Sequence, residues 1–366
     1  MKAVVLVGGE GTRLRPLTRT IPKPLLPIAG QPFLERQVSW LARHDIDEVV
    51  LALGYLPDAF VAQFPDGEHA GVRLRYAVEP YPLGTAGGIR FAAGAAGIEE
   101  RFLVCNGDVL TTLDVSALVR FHDQHGAEAT IHLTRVDDPS AFGVVPTYED
   151  GEVKAFVEKP APGTAPSDWI NAGTYVLEPS VLSRVADDLT VSIERETFPR
   201  MLEERGHLFA SGTDDYWLDI GTPQKYLDAH TDTLLGRIGL PPLPGAREIA
   251  PGIWAERDFE VAGDAIVAAP SLLGDQIVIK SGARVDGSSL TKRSFVGNDA
   301  VVRGAVLLAG AHVCEGATVD RSIVGPDAHV GAGATLTDCS IVGAGARVSP
   351  GASVSGERVE LSAAAG

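Results

Sequence analysis

The sequence predicts an α/β protein of two domains, a mostly parallel sheet with helices on both faces followed by a parallel β-helix. Two patterns indicate this. Apolar strand-like and amphipathic helix-like segments alternate over residues 1–235, and apolar residues then return every six positions over residues 263–358. A segment rich in Pro and Gly, residues 236–262, separates the two patterns and is expected to be a linker. A chain of 366 residues is long enough for two domains, each with its own core.

The first pattern predicts strands and helices in a βαβα order. The expected strands are residues 4–7, 48–53, 72–78 and 102–105, and the expected helices are residues 33–44, 86–95 and 116–125. In a parallel sheet of this kind ligands bind in the loops at the carboxyl ends of the strands. Residues 8–23 and 106–108 both follow predicted strands. We therefore expect these two loops to carry functional residues.

The second pattern is a period of six, which neither a helix nor a simple strand explains. The apolar residues form runs of three: Leu290, Val296, Val302; Leu307, Val313, Val319; Val324, Val330, Leu336; Val342, Val348, Val354. Hexapeptide repeats of a parallel β-helix place one aliphatic residue inward on each face of a triangular coil. A disordered Gly/Ala-rich tail would fit the composition but not this phase. Residues 362–366 are expected to be disordered.

The composition restricts the partners and the compartment. A formal net charge of −17 without a long basic run argues against a nucleic-acid or anionic-membrane partner. The cysteines, Cys105, Cys314 and Cys339, are few and lack metal-binding spacing. The apolar run before Gly8 is too short for a signal peptide, and no apolar stretch approaches a membrane span. We expect a cytoplasmic protein.

The loop at residues 8–27 carries the residue types that bind polyphosphate. Its glycines, Gly8, Gly9 and Gly11, let backbone N–H groups approach a ligand. The stretch contains four basic residues, Arg13, Arg15, Arg19 and Lys23, and one acidic residue, Glu10. The glycine spacing fits neither the dinucleotide fingerprint nor the Walker loop. A surface turn with solvated basic residues is the alternative for a lone Gly-Gly pair.

The whole phrase GGEGTRLRPLTRTIPKP resembles the signature of the sugar-1-phosphate nucleotidyltransferases. Further phrases resemble motifs of that family in the family's order, at residues 79–87, 106–108, 142–145, 158–160, 171–173 and 216–223. The resemblance covers residues 1–235. It implies a Rossmann-like nucleotidyltransferase domain, and the hexapeptide repeats resemble the left-handed β-helix appended to many members. The implied reaction joins a nucleoside triphosphate to a sugar 1-phosphate and releases pyrophosphate.

The chemistry of that reaction explains the residue types. A phosphate oxygen is already anionic at neutral pH, so the catalyst needs cations and a metal ion rather than a base. The resemblance implies that Arg13 holds the leaving phosphates and that Lys23 bridges the α-phosphate and the sugar phosphate. It implies Asp108 and Asp219 as ligands of Mg²⁺, although an Asp after Gly often serves only a turn. The implied triphosphate-binding backbone is Gly8, Gly9, Gly11 and Thr12.

The resemblance also implies the base and sugar sites. The nucleobase site is Glu79 with Leu83, Gly84 and Thr85, and the sugar-phosphate site is Gly143, Glu158, Lys159 and Asn171. The pattern is closest to mannose-1-phosphate guanylyltransferases. The Glu79 carboxylate could accept both N1–H and the 2-amino group of guanine, although backbone groups of 83–85 are an alternative reader. GTP and mannose 1-phosphate are the expected substrates; a heptose, glucose or cyclitol 1-phosphate is the alternative acceptor.

Two other classes of function remain open at this point. A non-catalytic regulatory subunit of the same fold would lack some of the four charged residues Arg13, Lys23, Asp108 and Asp219, and all are present. An acyltransferase β-helix would need an inserted loop beside a histidine such as His312 or His329, and no insertion is evident. We expect the β-helix or the catalytic domain to mediate a homo-oligomer. Residues 192–201 are expected to form a structural helix capped by Ser192.

Overall fold

The computed structural model describes residues 1–187, 189–239 and 242–361, which form two compact units. The first unit contains Met1–Gly9 and Leu34–Trp217. The second contains Glu10–Phe33 together with the described part of the chain from Leu218 onward. The basic loop after the first strand therefore belongs to the same unit as the hexapeptide repeats.

The first unit is built on a mixed, mostly parallel sheet, as the sequence predicts. Its main path runs, in spatial order, through Val157–Glu158, Gly143–Val144, Trp169–Leu177, Phe102–Asn106, Lys2–Leu6, Glu48–Leu53, Val72–Val78 and Glu68–His69. Ala129–Arg135 and Leu208–Gly212 join it beside Trp169–Leu177. The central strand Lys2–Leu6 pairs in parallel with Glu48–Leu53 and with Phe102–Asn106. The carboxyl ends of these three strands therefore lie at one edge.

Helices cover this sheet with small departures from the predicted bounds. The α-helices are Phe33–Ala42, Pro57–Gln63, Gly84–Ala95, Val115–His125 and Phe198–Glu203, with 3-10 turns at Pro139–Ala141 and Pro179–Arg184. Gly126, at a φ of 56°, ends Val115–His125, because a left-handed residue stops a helix without strain when it is glycine. The sequence predicts a structural helix over residues 192–201, with Pro199 as a local irregularity, but the segment begins as a π-helix over Ile193–Thr197. Ser192 caps it, as expected, by accepting a hydrogen bond from Arg195 N.

The second unit begins with three 3-10 turns, Thr12–Leu14, Leu17–Arg19 and Lys23–Leu25, and the small hairpin Pro27–Ile28 and Gln31–Pro32. The helix Pro223–Leu234 packs against this hairpin. Tyr226 Oη donates a hydrogen bond of 2.6 Å to Pro27 O, and Ala29 N donates to His230 Nδ1 at 3.1 Å. These contacts fix the segment that contains the predicted triphosphate-binding residues.

The rest of the second unit is a solenoid of three ladders of parallel strands. The first ladder is Ile253–Ala255, Ser271–Leu273, Ser289–Leu290, Val306–Leu307, Ile323–Val324, Ile341–Val342 and Arg358–Val359, with Arg247–Ala250 antiparallel at its start. The second is Phe259–Val261, Ile277–Ile279, Phe295–Val296, His312–Val313, His329–Val330 and Arg347–Val348. The third is Ile266–Ala268, Arg284–Asp286, Val301–Arg303, Thr318–Asp320, Thr335–Thr337 and Ser353–Ser355.

The six-residue period places aliphatic side chains inside the solenoid, as the sequence predicts. Every aliphatic residue of the four predicted runs lies inside the solenoid, and the most exposed of them, Val354, is 9% exposed. The ladders begin before residue 263, because strands within 253–261 pair with the next coil. The expected disorder of 362–366 lies outside the described residues. Within the described ranges, no helix is long and apolar enough to cross a membrane.

Candidate functional site

The basic loop of the second unit folds back on itself through Gly11. Gly11 has a φ of 60°, and a Cβ placed there would lie 3.0 Å from both Lys23 Cβ and Thr18 Cγ2. The Thr18 hydroxyl donates a hydrogen bond of 2.9 Å to Gly11 O. Only glycine fits this left-handed position without strain. The tight fold brings Lys23 beside the turn that contains Thr12 and Arg13.

Three of the predicted charged residues converge in this unit. The Lys23 side chain is only 9% exposed, and its Nζ lies 3.8 Å from Asp219 Oδ1. A Cβ placed on Gly221 would lie 2.8 Å from Arg13 Nη2 and 2.9 Å from Asp219 Oδ1, so both groups crowd this glycine. The arrangement presents two cations around one carboxylate. The sequence places Gly221 in the motif at residues 216–223 but assigns it no separate role.

The other two arginines of the loop have separate partners. Arg15 Nη2 lies 2.5 Å from Glu10 Oε2, and Arg19 Nη2 lies 2.7 Å from Glu360 Oε1 on the last described coil. A Cβ placed on Gly343 would lie 2.8 Å from Pro16 Cγ, so the solenoid also contacts the loop directly. Of the four cations of this loop, Arg13 and Lys23 are thus the two that lie near Asp219.

In the first unit, Gly8 and Gly9 follow the central strand Lys2–Leu6. Gly8 packs against Gly54, where a Cβ on Gly54 would lie 3.2 Å from Gly8 O. A Cβ on Gly9 would meet nothing within 4 Å. The close approach of two backbone segments therefore explains why residue 8 is a glycine, whereas packing does not explain the glycine at position 9.

The turn that carries Asp108 is fixed by close backbone packing. A Cβ placed on Gly107 would lie 2.6 Å from Leu6 O, and Gly107 N donates a hydrogen bond of 2.9 Å to that oxygen. Gly173, at a φ of 75°, leaves room for the Asn106 side chain, because a Cβ there would lie 2.4 Å from Asn106 Nδ2. The packing holds Asp108 at the carboxyl end of Phe102–Asn106, as the sequence predicts.

The predicted nucleobase stretch is ordered by hydrogen bonds of its side chains, one within the stretch and one to the π-helix. Glu79 Oε2 accepts a hydrogen bond of 3.0 Å from Leu83 N, and a Cβ on Gly88 would lie 2.6 Å from Glu79 Oε1. Burial raises the pKa of Glu79, partly offset by the Leu83 N–H. Thr85 Oγ1 donates to Glu194 Oε2 at 2.8 Å and so faces the π-helix. The partner Glu194 was missed because nothing in the sequence pairs residues 109 positions apart.

The predicted sugar-phosphate residues form a second group in the first unit. Lys159 Nζ lies 3.7 Å from Glu158 Oε1, and the Lys159 backbone is left-handed at a φ of 48°. A Cβ on Gly143 would lie 3.0 Å from Glu158 Oε2. A strained non-glycine backbone at a charged, half-exposed residue is typical of functional positions.

Asn171 is held within its own strand. Its Nδ2 donates a hydrogen bond of 2.8 Å to Tyr175 Oη, and its Oδ1 accepts one of 3.0 Å from Gly173 N. Burial raises the pKa of Tyr175 far above its usual value, so this hydroxyl stays protonated. Asn171 thus fixes the bulge that leads to Gly173 in addition to any contact with substrate.

A metal ion bound by this chain would take few protein ligands. Within 1–187, 189–239 and 242–361, no group of three or more His, Cys, Asp or Glu side chains forms a ready cage. Mg²⁺ typically takes one or two carboxylates and completes its shell with water and substrate phosphates. Asp108 in the first unit and Asp219 in the second are each a carboxylate of the type that such an ion takes.

Comparison with known proteins identifies the family. A nucleotidyl transferase family model matches residues 2–235. The chain belongs to the nucleotidyl transferase family. A second model, described as the GMPPB C-terminal domain, matches residues 267–363. The predictions of a nucleotidyltransferase fold and of an enzyme are confirmed, and this family generally uses a divalent metal ion.

Relatives match both units of this nucleotidyl transferase. The mannose-1-phosphate guanylyltransferase of Mycobacterium tuberculosis is 39% identical over 87% of this chain and 83% of its own length. The mannose-1-phosphate guanyltransferase of Schizosaccharomyces pombe is 35% identical over 94% of this chain and 91% of its own. Crystal structures of HddC from Yersinia pseudotuberculosis, one of them complexed with GMP-PN, are 30% identical with TM-scores of 0.55 and 0.54. Each covers 63% of this chain and 97% of HddC.

Proposed function

We propose that this protein transfers GMP from GTP to mannose 1-phosphate, with Mg²⁺, and produces GDP-mannose and pyrophosphate. The observation that carries the proposal is the convergence of Arg13 and Lys23, from the glycine-rich loop, with Asp219. The acceptor and the base follow from the relatives, which are named mannose-1-phosphate guanylyltransferases and match over most of their length. The cytoplasm is the proposed compartment.

The reaction is an in-line displacement at the α-phosphorus of GTP. An oxygen of the sugar phosphate forms the new P–O bond, the bond to the β-phosphate bridging oxygen breaks, and pyrophosphate leaves with the electron pair. In this proposal Arg13 binds the β- and γ-phosphates, because its planar guanidinium donates two parallel hydrogen bonds. Lys23 contacts the α-phosphate and the incoming phosphate, where its charge reduces repulsion between two anions. Backbone groups of 8–12 bind the triphosphate.

The proposed ligands of Mg²⁺ are the carboxylates of Asp108 and Asp219. When bound, the ion would neutralise charge on the phosphates in the transition state. Asp219 already lies beside Lys23, so this carboxylate also orients the lysine that contacts the α-phosphate. Removal of divalent ions with EDTA is expected to abolish pyrophosphate release, and Mg²⁺ is expected to restore it.

Glu79 is the proposed reader of guanine, and two substitutions separate its roles. Glu79→Gln keeps an acceptor for Leu83 N but replaces one guanine acceptor by a donor. Glu79→Ala removes both interactions. If Glu79 reads the base, the KM for GTP rises in both variants. If Glu79 only orders the loop, Glu79→Gln behaves like the wild type and Glu79→Ala alone is impaired.

The function is tested by pyrophosphate release with each nucleoside triphosphate and a panel of acceptors. Turnover with GTP and mannose 1-phosphate, lost in Asp108→Ala, would support the proposal. A preference for another sugar or cyclitol 1-phosphate would keep the mechanism and change the acceptor. Absence of release with every pair would favour a non-catalytic regulatory role. Size-exclusion chromatography tests the expected homo-oligomer against a 38.4 kDa monomer.

A further inference from the structure

The π-helix Ile193–Thr197 is held in place by backbone and side-chain hydrogen bonds to Ser192. Glu196 N and Thr197 N both donate to Ser192 O, at 3.1 and 3.2 Å. Ser192 Oγ accepts from Arg195 N at 3.2 Å and donates to Glu194 Oε2 at 2.8 Å. Single π-turns are rare and occur frequently at functional sites. The sequence indicates only a structural helix here, and the bond from Thr85 to Glu194 is the one role of the π-turn described so far.

The same turn is bonded to the predicted nucleobase stretch. Val191 N donates to Leu83 O at 2.9 Å, and Ile193 N donates to Thr85 Oγ1 at 2.8 Å. The approach is close enough that a Cβ on Gly84 would lie 2.6 Å from Val191 O. These bonds fix the position of the residues that follow, including Arg195.

Arg195 extends from this turn to the sugar-phosphate motif. Its Nη2 lies 3.9 Å from Glu158 Oε1, the same oxygen that lies 3.7 Å from Lys159 Nζ. The Arg195 and Lys159 side chains are 65% and 57% exposed, so these ion pairs contribute little to stability. Folding stability therefore does not explain why two cations converge on this carboxylate.

We propose that Arg195 binds the phosphate of the sugar 1-phosphate together with Lys159. A phosphomonoester carries a charge between −1.5 and −2 near neutral pH, so one lysine neutralises only part of it. A guanidinium adds two parallel donors, which a second lysine could not supply. Glu158 holds the two cations side by side, and its carboxylate can accept hydrogen bonds from sugar hydroxyls. This assignment rests on the proposed transfer to a sugar 1-phosphate.

The test compares Arg195→Gln and Arg195→Lys with a matched control. Arg200→Gln is the control, because Arg200 follows in the next helical turn, is 56% exposed, and pairs with Glu204 instead. The assay measures pyrophosphate release, with the KM for GTP and for mannose 1-phosphate determined separately. We expect Arg195→Gln to raise the KM for mannose 1-phosphate about 10- to 100-fold, the range for a hydrogen bond to a charged group. The KM for GTP should change less than about threefold.

The variants separate a binding role from a structural one. Arg195→Lys should recover part of the affinity for mannose 1-phosphate, whereas Arg200→Gln should match the wild type. Equal KM values for mannose 1-phosphate in Arg195→Gln and the wild type would overturn the assignment. So would equal increases in both KM values, which indicate a displaced turn. If the wild type itself fails with every sugar 1-phosphate, the proposed function is wrong and the Arg195 assignment fails with it; an active wild type isolates the test of Arg195.

Discussion

Replacement of Lys23 by methionine removes one charge and keeps most of the side-chain volume. Lys23 is almost fully buried, and its Nζ lies 3.8 Å from Asp219 Oδ1. At an effective dielectric constant of about 20, two unit charges about 4 Å apart interact by about 4 kcal/mol. Loss of one preorganised donor to developing charge costs a similar amount, about 100- to 1,000-fold in kcat. We expect Lys23→Met to lower kcat by this factor.

The assay is pyrophosphate release at saturating GTP and mannose 1-phosphate, with Lys154→Met as the matched control. Lys154 is an exposed lysine that stacks on the Tyr148 ring in the same protein, and its substitution should leave kcat unchanged. Urea unfolding of Lys23→Met should show a cooperative transition at a lower midpoint than that of the wild type, because the substitution removes the cation that pairs with Asp219. A correctly folded Lys23→Met variant with kcat within threefold of the wild type would refute the role of this lysine.

Three further predictions concern packing and pH. Gly173→Ala should lower the free energy of unfolding by about 1–3 kcal/mol and reduce kcat, because a residue at a φ of 75° is strained and its Cβ would displace Asn106; equal urea midpoints would contradict this. Burial lowers the pKa of His132 from 6.5 to about 4, so the unfolded chain binds more protons below pH 6.5. The free energy of unfolding should therefore fall by up to about 3 kcal/mol between pH 7 and 4, and that loss should shrink in His132→Gln. Gly343→Ala should raise the KM for GTP, because the added Cβ would displace Pro16 in the basic loop. Gly263→Ala is the control and should leave this KM unchanged, because the space around Gly263 is open.

The parts of the fold that depend on local pattern could be predicted from the sequence. Val313 and Val319 repeat at six because each coil of the solenoid needs one aliphatic residue inward per face. The strand at Glu48–Leu53 is apolar after its first residue, because both of its faces are covered. The strands within 247–261 could not be predicted in this way, because the prolines and glycines of 236–262 indicate a linker and not strands.

The parts of the site that depend on long-range contacts could not be predicted in this way. The signature phrase indicates Arg13 and Lys23, the separate motif at residues 216–223 indicates Asp219, and the structure brings the three together in one unit. The bond between Thr85 and Glu194 joins segments 109 positions apart, and no local pattern encodes it. Arg195 resembles a solvated surface residue in the sequence. Its relation to Glu158 depends on the π-turn, which is a tertiary feature.

Phosphorus NMR of a single reaction mixture tests the central claim most directly. Purified protein would be incubated with GTP, mannose 1-phosphate and Mg²⁺, and the phosphorus species followed with time. The proposed function predicts that the mannose 1-phosphate signal decays while the two diphosphate signals of GDP-mannose and the single signal of pyrophosphate appear in equal molar amounts. Release of inorganic phosphate instead, or persistence of the mannose 1-phosphate signal while another sugar phosphate is consumed, would contradict it.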